Sequence, residues 1–328
     1  MTDSLPVTAA DIDAAAQVLA PHAVRTPLIA SPALDALTGG RVFLKAEVLQ
    51  RTGSFKFRGA FNKIASIPQA ARAAGVVAFS SGNHAQGVAA AAGLLGMPAT
   101  IVMPADAPLS KRERTAGYGA EVVLYDRLRE DREAIARGIA TERGATLVPP
   151  YDDVRIIAGQ GTAAREACED LAGLGLAPEI VVAPASGGGL IAGTAIATRA
   201  RFPKATIMTA EPDGFDDHAR SFASGHREPH RAEGTTICDA LIATIPGEIT
   251  FAINQRLVSH GVTASDTEVG AAVAFAFREF KLVVEPGGAV ALAALLAGRI
   301  DARGRTLVVV LSGGNVDADM FAKLIGAA

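Results

Sequence analysis

The sequence predicts an α/β protein with mainly parallel sheets, and three observations carry that prediction. Continuous runs rich in Val and Ile recur along the chain: "RVFLKAEV" at 41–48, "GVVAFS" at 75–80, "ATIVMP" at 99–104, "EVVLYD" at 121–126, "EIVVAPA" at 179–185, "TIMTAEP" at 206–212 and "TLVVVLSGG" at 306–314. A strand with one wet face would alternate apolar and polar residues; these runs do not, so helices must cover both faces. Alanine-rich stretches of helical period separate the runs, which is the rhythm of parallel strand–helix–strand units. With 328 residues, 49% of them hydrophobic, the chain can build two cored domains.

Taken in order, the first strand leads into "TGSFKFRG", where a helix is expected from about Ser54, capped by Ser54 or Thr52. The strand at 75–80 is followed by "SSGNHAQG" and a helix from about His84. The long uncharged run "GVAAAAGLLGMPATIVMP" from Gly87 invites a transmembrane reading, but its internal Gly and Pro split it into a small-residue helix and the strand at 99–104. "LREDREAIARGIATERG" is the next helix, then "AGQGTAAREACEDLA", then "GGGLIAGTAIATRA" after the strand at 179–185, and "DTEVGAAVAFAFREF" before the last strand. Ligands of such folds lie at the carboxyl ends of the strands, so the strand-to-helix turns are where function is sought.

Several function classes are excluded at the level of composition. A formal net charge of -3 gives no electrostatic footprint for nucleic acid or for an anionic membrane. The two cysteines, Cys168 and Cys238, have no metal or CxxC spacing and read as packing residues in a reducing compartment. The start, "MTDSLPVTAADIDAAAQ", carries no basic and apolar export pattern, so a cytoplasmic protein is expected.

Two turns carry similar chemistry. "SSGNHAQG" from Ser80 and "SGGGLIAG" from Ser186 each follow a strand and open a helix, where backbone N–H groups lack intrahelical partners and can bind an anion. Glycine lets that anion approach the backbone closely. One anion is expected to be a phosphate and the other a carboxylate. Gly187, Gly189 and Ala192 also satisfy the G-x-G-x-x-A dinucleotide pattern, with Glu211 about 20 residues on, which would suggest a nicotinamide-dependent dehydrogenase. That alternative leaves Asn83, the first turn and Lys56 unexplained. Lys56 lies between Phe55 and Phe57, an apolar frame that disfavours the ammonium form and keeps the amine nucleophilic. Two anion turns and a framed lysine together fit a cofactor that is an aldehyde bearing a phosphate.

The segments "SFKFRGA", "SSGNHAQG", "IAGQGT", "SGGGL", "EPGGA" and "LSGGN" occur in the order and spacing of the pyridoxal-phosphate-dependent serine/threonine dehydratase and serine racemase family, fold type II, and the chain resembles that family from about Thr26 to Asp319. The resemblance implies that Lys56 holds pyridoxal 5'-phosphate as a Schiff base, with Phe55 packed beside it. It implies that Asn83 contacts the phenolic oxygen, that Ser186, Gly187, Gly188, Gly189 and Leu190 cradle the phosphate, and that Ser312 meets the pyridine nitrogen. Ser81, Gly82, Asn83, His84 and Ala85 would hold the carboxylate of a small amino-acid substrate, His84 in a positioning role. Lys56 would be the catalytic base and Ser81 would serve the opposite face, as in the racemases. The implied reaction is deamination of a β-hydroxy amino acid, most simply L-threonine or L-serine, to a 2-oxo acid and ammonia, with 3-hydroxyaspartate dehydration or serine racemisation as alternatives.

The resemblance extends to a divalent-cation site, Mg²⁺ or Ca²⁺, at Glu211, the carbonyl of Phe215, and Asp217. It implies two domains, the larger from residues 1–65 and 153–328 and the smaller from 66–152, with the cofactor in the cleft between them, and a homodimer. The sequence departs from the family at Ser186, which replaces a glycine, and at Pro149, Tyr151 and Ala240 near the cofactor. Arg127, Arg129, Arg132 and Arg155 fall near the expected cleft, where an arginine would read a second substrate carboxylate.

Overall fold

A computed structural model describes residues 5–107, 109–231 and 234–327. The first four residues of the segment inspected above for an export signal lie outside this set. Ten strands are formed: β1 Leu28–Ala30, β2 Arg41–Ala46, β3 Val76–Phe79, β4 Ala99–Pro104, β5 Glu121–Tyr125, β6 Thr146–Leu147, β7 Ile180–Pro184, β8 Thr206–Pro212, β9 His260–Ala264 and β10 Thr306–Leu311. They make a larger sheet of order β1-β2-β10-β7-β8-β9 and a smaller one of order β5-β4-β3-β6. Every pairing is parallel except β1 with β2, so the predicted fold class is what the chain forms. All four strands of the smaller sheet fall within residues 66–152.

The continuous apolar runs behave as both-face burial requires. All six residues of β4 and all five of β7 are buried. On one side of the larger sheet, helix Pro286–Leu296 is buried on nearly every residue, its alanines allowing close packing against Val182, Leu307 and Val309. The other side is covered by helix Val154–Gly173 and helix Gly189–Arg201, which touch through glycine: a Cβ on Gly193 would come within 2.5 Å of the Gly161 nitrogen.

Helix Lys56–Ala65 joins the two sheets, packing on both helix Asn83–Leu94 and helix Val154–Gly173. It is anchored by a largely buried group of four charges. Arg58 bonds Glu47 and Glu166, and Lys45 bonds Glu166 and the Thr26 carbonyl. Two cations against two carboxylates leave the group neutral. Removing one member would strand its partner, a loss of ~3–5 kcal/mol. At the crossing between sheets, Asp152 accepts from the amides of Glu248, Ile249 and Thr250, while Asp153 caps helix Val154–Gly173. Adjacent aspartates thus fix two helices to one short segment.

The sequence expectations that differ are local. Neither Ser54 nor Thr52 caps the helix of Lys56: Phe55 occupies the N-cap without a side-chain bond, and both hydroxyls are buried without partners. Tertiary strand pairing replaces the cap, because residues 53–55 run antiparallel to 312–314, with Phe55 N–H donating to Ser312 O and Gly314 N–H to Gly53 O. The helix expected from Leu128 begins at Arg132, because Asp131 caps it. Both cysteines are buried thiols, held up at about 11 and about 12 by burial.

Candidate active site

The carboxyl ends of both sheets open on one cavity of about 650 Å³, lined by residues from all six motifs. Lys56 enters it as the first residue of its helix, placed there by the pairing of residues 53–55 with 312–314. Its amine donates to the Pro150 carbonyl at 2.8 Å and lies 5.2 Å from the centre of the Phe55 ring. Burial lowers its pKa to about 8, against the raising influence of the Glu285 carboxylate. The neutral, nucleophilic form is then roughly a tenth of the amine at pH 7, far more than for a solvated lysine.

On one side of Lys56 lies the turn Ser186–Gly189, opening helix Gly189–Arg201. Its carbonyls are engaged on the side away from the cavity: His218 Nε2 donates to Ser186 O, Thr250 Oγ1 and Gly247 N–H to Gly187 O, and Asn254 Nδ2 to Gly188 O. With carbonyls held there and helix-start amides on the other side, the turn can cradle an anion. Gly188 adopts φ +93°, open to glycine at little cost, and a Cβ there would come within 2.9 Å of His218, Asn254 and Thr250. Gly187 sits against the Tyr151 ring. Ser186 Oγ accepts from the Ala243 amide.

On the other side, helix Asn83–Leu94 points its first turn at the cavity. Ser81, Gly82, Asn83 and His84 line the wall. The Ala85 methyl turns inward to the apolar cluster with Phe57 and Val88, which leaves its backbone N–H as the group that could meet a carboxylate. Burial depresses His84 to about 3, and its Nε2 meets the Val148 carbonyl at 2.9 Å, so the ring is neutral and donates there. The Ser81 and Ser312 hydroxyls have no partner among the described residues, and both residues line the cavity.

Glu285 is the residue that sequence reasoning missed. It accepts from Asn83 Nδ2 at 2.6 Å, and Asn83 Oδ1 in turn accepts from Asn315 Nδ2 at 2.7 Å. The Asn83 amide is thereby oriented with one N–H left for a ligand. Burial raises Glu285 to about 7. The available signal was a carboxylate at the mouth of a helix start, in a segment quoted for its glycines alone.

The four arginines separate cleanly. Arg127 and Arg132 line the cavity; Arg129 and Arg155 do not. Arg127 is paired with Asp106 at 2.9 Å, whereas the Arg132 guanidinium lies 5.7 Å from the centre of the Phe79 ring and has no ion pair among the described residues.

Away from the cavity, Glu211 closes β8 and Asp217 begins the next helix. Both are buried. Glu211 accepts from the amides of His218 and Ala219 at 2.8 and 2.9 Å, and Asp217 Oδ2 is buried with no partner among the described residues. Burial raises both carboxyls, Asp217 to about 7, and like charge adds to the effect at Glu211. No cluster of three or more His, Cys, Asp or Glu side chains that could hold a metal occurs among the described residues. Two buried acids with no ion pair of their own among the described residues, Arg220 being paired with Asp216, nevertheless fit a hard cation that takes a carbonyl and water as its further ligands. Glu211 is closed to a nucleotide ribose by the same two amides.

The match to known proteins agrees with this geometry. The family model for pyridoxal-phosphate dependent enzymes matches residues 19–313. The chain belongs to that family. It is 47% identical over 315 residues to the L-threo-3-hydroxyaspartate ammonia-lyase of a Pseudomonas species, covering 96% of this chain and 97% of that protein. It is 38% identical to the serine racemase of Schizosaccharomyces pombe, covering 99% of each. The solved threonine deaminase from T.th. superposes with a TM-score of 0.88 at 43% identity, covering 94% of this chain and 99% of that one. The dehydrogenase alternative is thereby set aside. No helix among the described residues is long and apolar enough to cross a membrane.

Proposed function

We propose that this enzyme deaminates a small β-hydroxy amino acid by eliminating its β-hydroxyl, and that the substrate is a 3-hydroxyaspartate ahead of L-threonine or L-serine. The observation that carries the reading is a single cavity holding the Lys56 amine, two helix-start anion turns and, in Arg132, a guanidinium free of carboxylates among the described residues. Pyridoxal 5'-phosphate, when bound, supplies an electron sink for the bond broken at Cα. Phe55, Asn83, Ser186, Gly187, Gly188, Gly189, Leu190 and Ser312 are the residues we assign to hold it. Ser312, a neutral hydroxyl rather than an acid, would leave that sink weaker and would favour prompt loss of a β-leaving group.

The remaining roles belong to the chain. First-turn amides of the helix at Asn83 receive the substrate's α-carboxylate, with His84 fixed against the Val148 carbonyl to hold that turn. Lys56, both anchor and base, takes the Cα proton; its low pKa suits proton transfer near neutral pH. Ser81 lines the wall of the first turn and can serve the opposite face of Cα. Arg132 can take a distal carboxylate bidentately. Tyr151, large and packed on Gly187, occupies space beside the phosphate turn, and we assign elimination rather than racemisation as the main outcome.

We further assign Mg²⁺ or Ca²⁺ to Glu211, Phe215 O and Asp217, where it would neutralise two buried carboxylates and so stabilise the fold. We also propose a small domain at 66–152 and a large one at 1–65 and 153–328, in a cytoplasmic homodimer. The test is kcat/KM for L-threo-3-hydroxyaspartate, L-threonine and L-serine on one preparation, reading 2-oxo acid, ammonia and D-amino acid. We expect oxo acid and ammonia in all cases, with hydroxyaspartate preferred by about tenfold or more. Equal or better use of threonine rejects the dicarboxylate assignment, and a product mixture dominated by D-serine rejects elimination as the main reaction.

A further inference from the structure

Helix Asp217–Ser224 begins next to the carboxylate pair and reaches the glycine turn through one residue. The backbone N–H of His218 donates to Glu211 Oε1 at 2.8 Å, and its ring Nε2 lies 2.7 Å from the Ser186 carbonyl. A carbonyl oxygen can only accept, so Nε2 carries the proton and donates. The residue is fully buried, and Nδ1 has no hydrogen-bond partner among the described residues, so the Ser186 bond is what fixes the ring's polar edge. The ring also floors the turn: a Cβ at Gly188 would come within 2.8 Å of its Cε1.

Three consecutive carbonyls, of Ser186, Gly187 and Gly188, are each held by a side chain: His218, Thr250 and Asn254. Holding a carbonyl on one side of a peptide plane directs the N–H of the same plane to the other, here toward the cavity. Thr250 and Asn254 sit on helix Glu248–Leu257, whose first amides Asp152 holds. Only His218 sits on the helix whose first turn is gripped by Glu211.

We propose that His218 is a positioning residue for the cofactor phosphate and that it couples the phosphate turn to the Glu211/Asp217 pair. The proposal rests on the assignment of that turn to the phosphate and of that pair to a divalent cation. A cation on the two carboxylates fixes the first turn of helix Asp217–Ser224, hence the His218 backbone, hence the Ser186 peptide. Coupling of this kind is reciprocal, so Mg²⁺ tightens pyridoxal phosphate as much as pyridoxal phosphate tightens Mg²⁺.

The experiment uses the full-length apoprotein and measures the Kd for pyridoxal phosphate by absorbance, in EDTA and in excess Mg²⁺, with Mg²⁺ binding followed separately by calorimetry. His218→Leu keeps the volume and removes the donor; His218→Gln places an amide nitrogen about where imidazole Nε2 lies. His218→Leu is expected to weaken pyridoxal phosphate about tenfold and to remove the Mg²⁺ dependence, while His218→Gln restores most of both. Where His218→Leu does not fold, as judged by circular dichroism, His218→Asn takes its place: its amide is polar but too short, and the same weakening is expected. Wild-type affinity in the Leu or Asn variant overturns the positioning role. Mg²⁺ that binds the wild type yet leaves the Kd unchanged overturns the coupling. If Mg²⁺ does not bind, the cation assignment and the coupling fall together, while the comparison of variants in EDTA still decides the positioning role. If the wild type binds no pyridoxal phosphate, the phosphate assignment itself has failed.

Discussion

Two regions of the cavity wall are made of different material. At the glycine turn the working groups are peptide N–H groups, and the carbonyls behind them are pinned by the buried side chains of His218, Thr250 and Asn254 from two helices. Elsewhere on the cavity wall, Arg127, in the turn after β5, and Arg132, the first residue of helix Arg132–Arg143, project long exposed side chains. The first region is pre-organised, so an anion bound there need not order the groups that receive it. The second can change ligand by exchanging one side chain. Chemistry common to a family belongs in the first kind of construction, and substrate choice in the second.

Removing the reactive amine should separate chemistry from both regions most sharply. Lys56→Ala is expected to lower turnover by roughly three orders of magnitude or more, because anchor and base are lost together. Circular dichroism should be unchanged, since the side chain's one hydrogen bond goes to the Pro150 carbonyl. Borohydride should fix pyridoxal phosphate onto the wild type and not onto the variant; labelling of another lysine would unseat the assignment. The sign of the pH dependence follows from burial. A cationic group with a lowered pKa loses its proton earlier, so the amine is increasingly neutral as pH rises through about 8. Attachment of pyridoxal phosphate to the apoprotein should therefore accelerate over that window, and acceleration only near the ordinary lysine value of about 10.4 would mean that the amine is solvated.

The next effect tests the rigid region. Gly188 has a left-handed backbone, and a Cβ would press on His218, Asn254 and Thr250 at 2.8–2.9 Å. Gly188→Ala should cost about 1–3 kcal/mol through strain and displaced donors, read as weaker pyridoxal phosphate binding and a lower Tm of the holoprotein. Unchanged affinity would mean that the turn tolerates rearrangement and that pre-organisation is not what binds the phosphate.

How much of this was legible in the sequence follows the same division. Seven strands and six of the helices among them could be read because each is a continuous apolar run or an uninterrupted helical period, whereas helices such as Leu109–Gly117 and Glu248–Leu257 went unread. β1, β6 and β9 could not: they are three, two and five residues long, with half-exposed burial patterns and no apolar run to mark them. The glycine turn was readable because closeness of a ligand to backbone demands a residue type. Ser54 misled, since a hydroxyl before a helix ordinarily caps it, whereas here the pairing of residues 53–55 with 312–314 fixes the helix start instead. Glu285 was hidden because its partner, Asn83, is 202 residues away and no local pattern links them. The arginines of "YDRLREDRE" carried equal weight in the sequence, and only the folded turn, with Asp131 capping the helix that starts at Arg132, shows which of them meet the cavity.

That decision yields the smallest and most discriminating effect. Arg132 lines the cavity, rests against Phe79 and has no carboxylate partner among the described residues, so a dicarboxylic substrate can claim its guanidinium without breaking an ion pair. Arg129, 85% exposed and 3.7 Å from Asp126, is the matched control in the same turn. Arg132→Ala should lower kcat/KM for L-threo-3-hydroxyaspartate about tenfold, or ~1.4 kcal/mol, while leaving L-threonine within about twofold. Arg129→Ala should change neither, because exposed pairs contribute little. Arg132→Lys should recover only part of the loss, since an ammonium cannot reproduce a bidentate fork. Equal losses for both substrates would make Arg132 a structural support of the cavity mouth, and a loss confined to Arg127→Ala would move the carboxylate reader to the arginine now paired with Asp106.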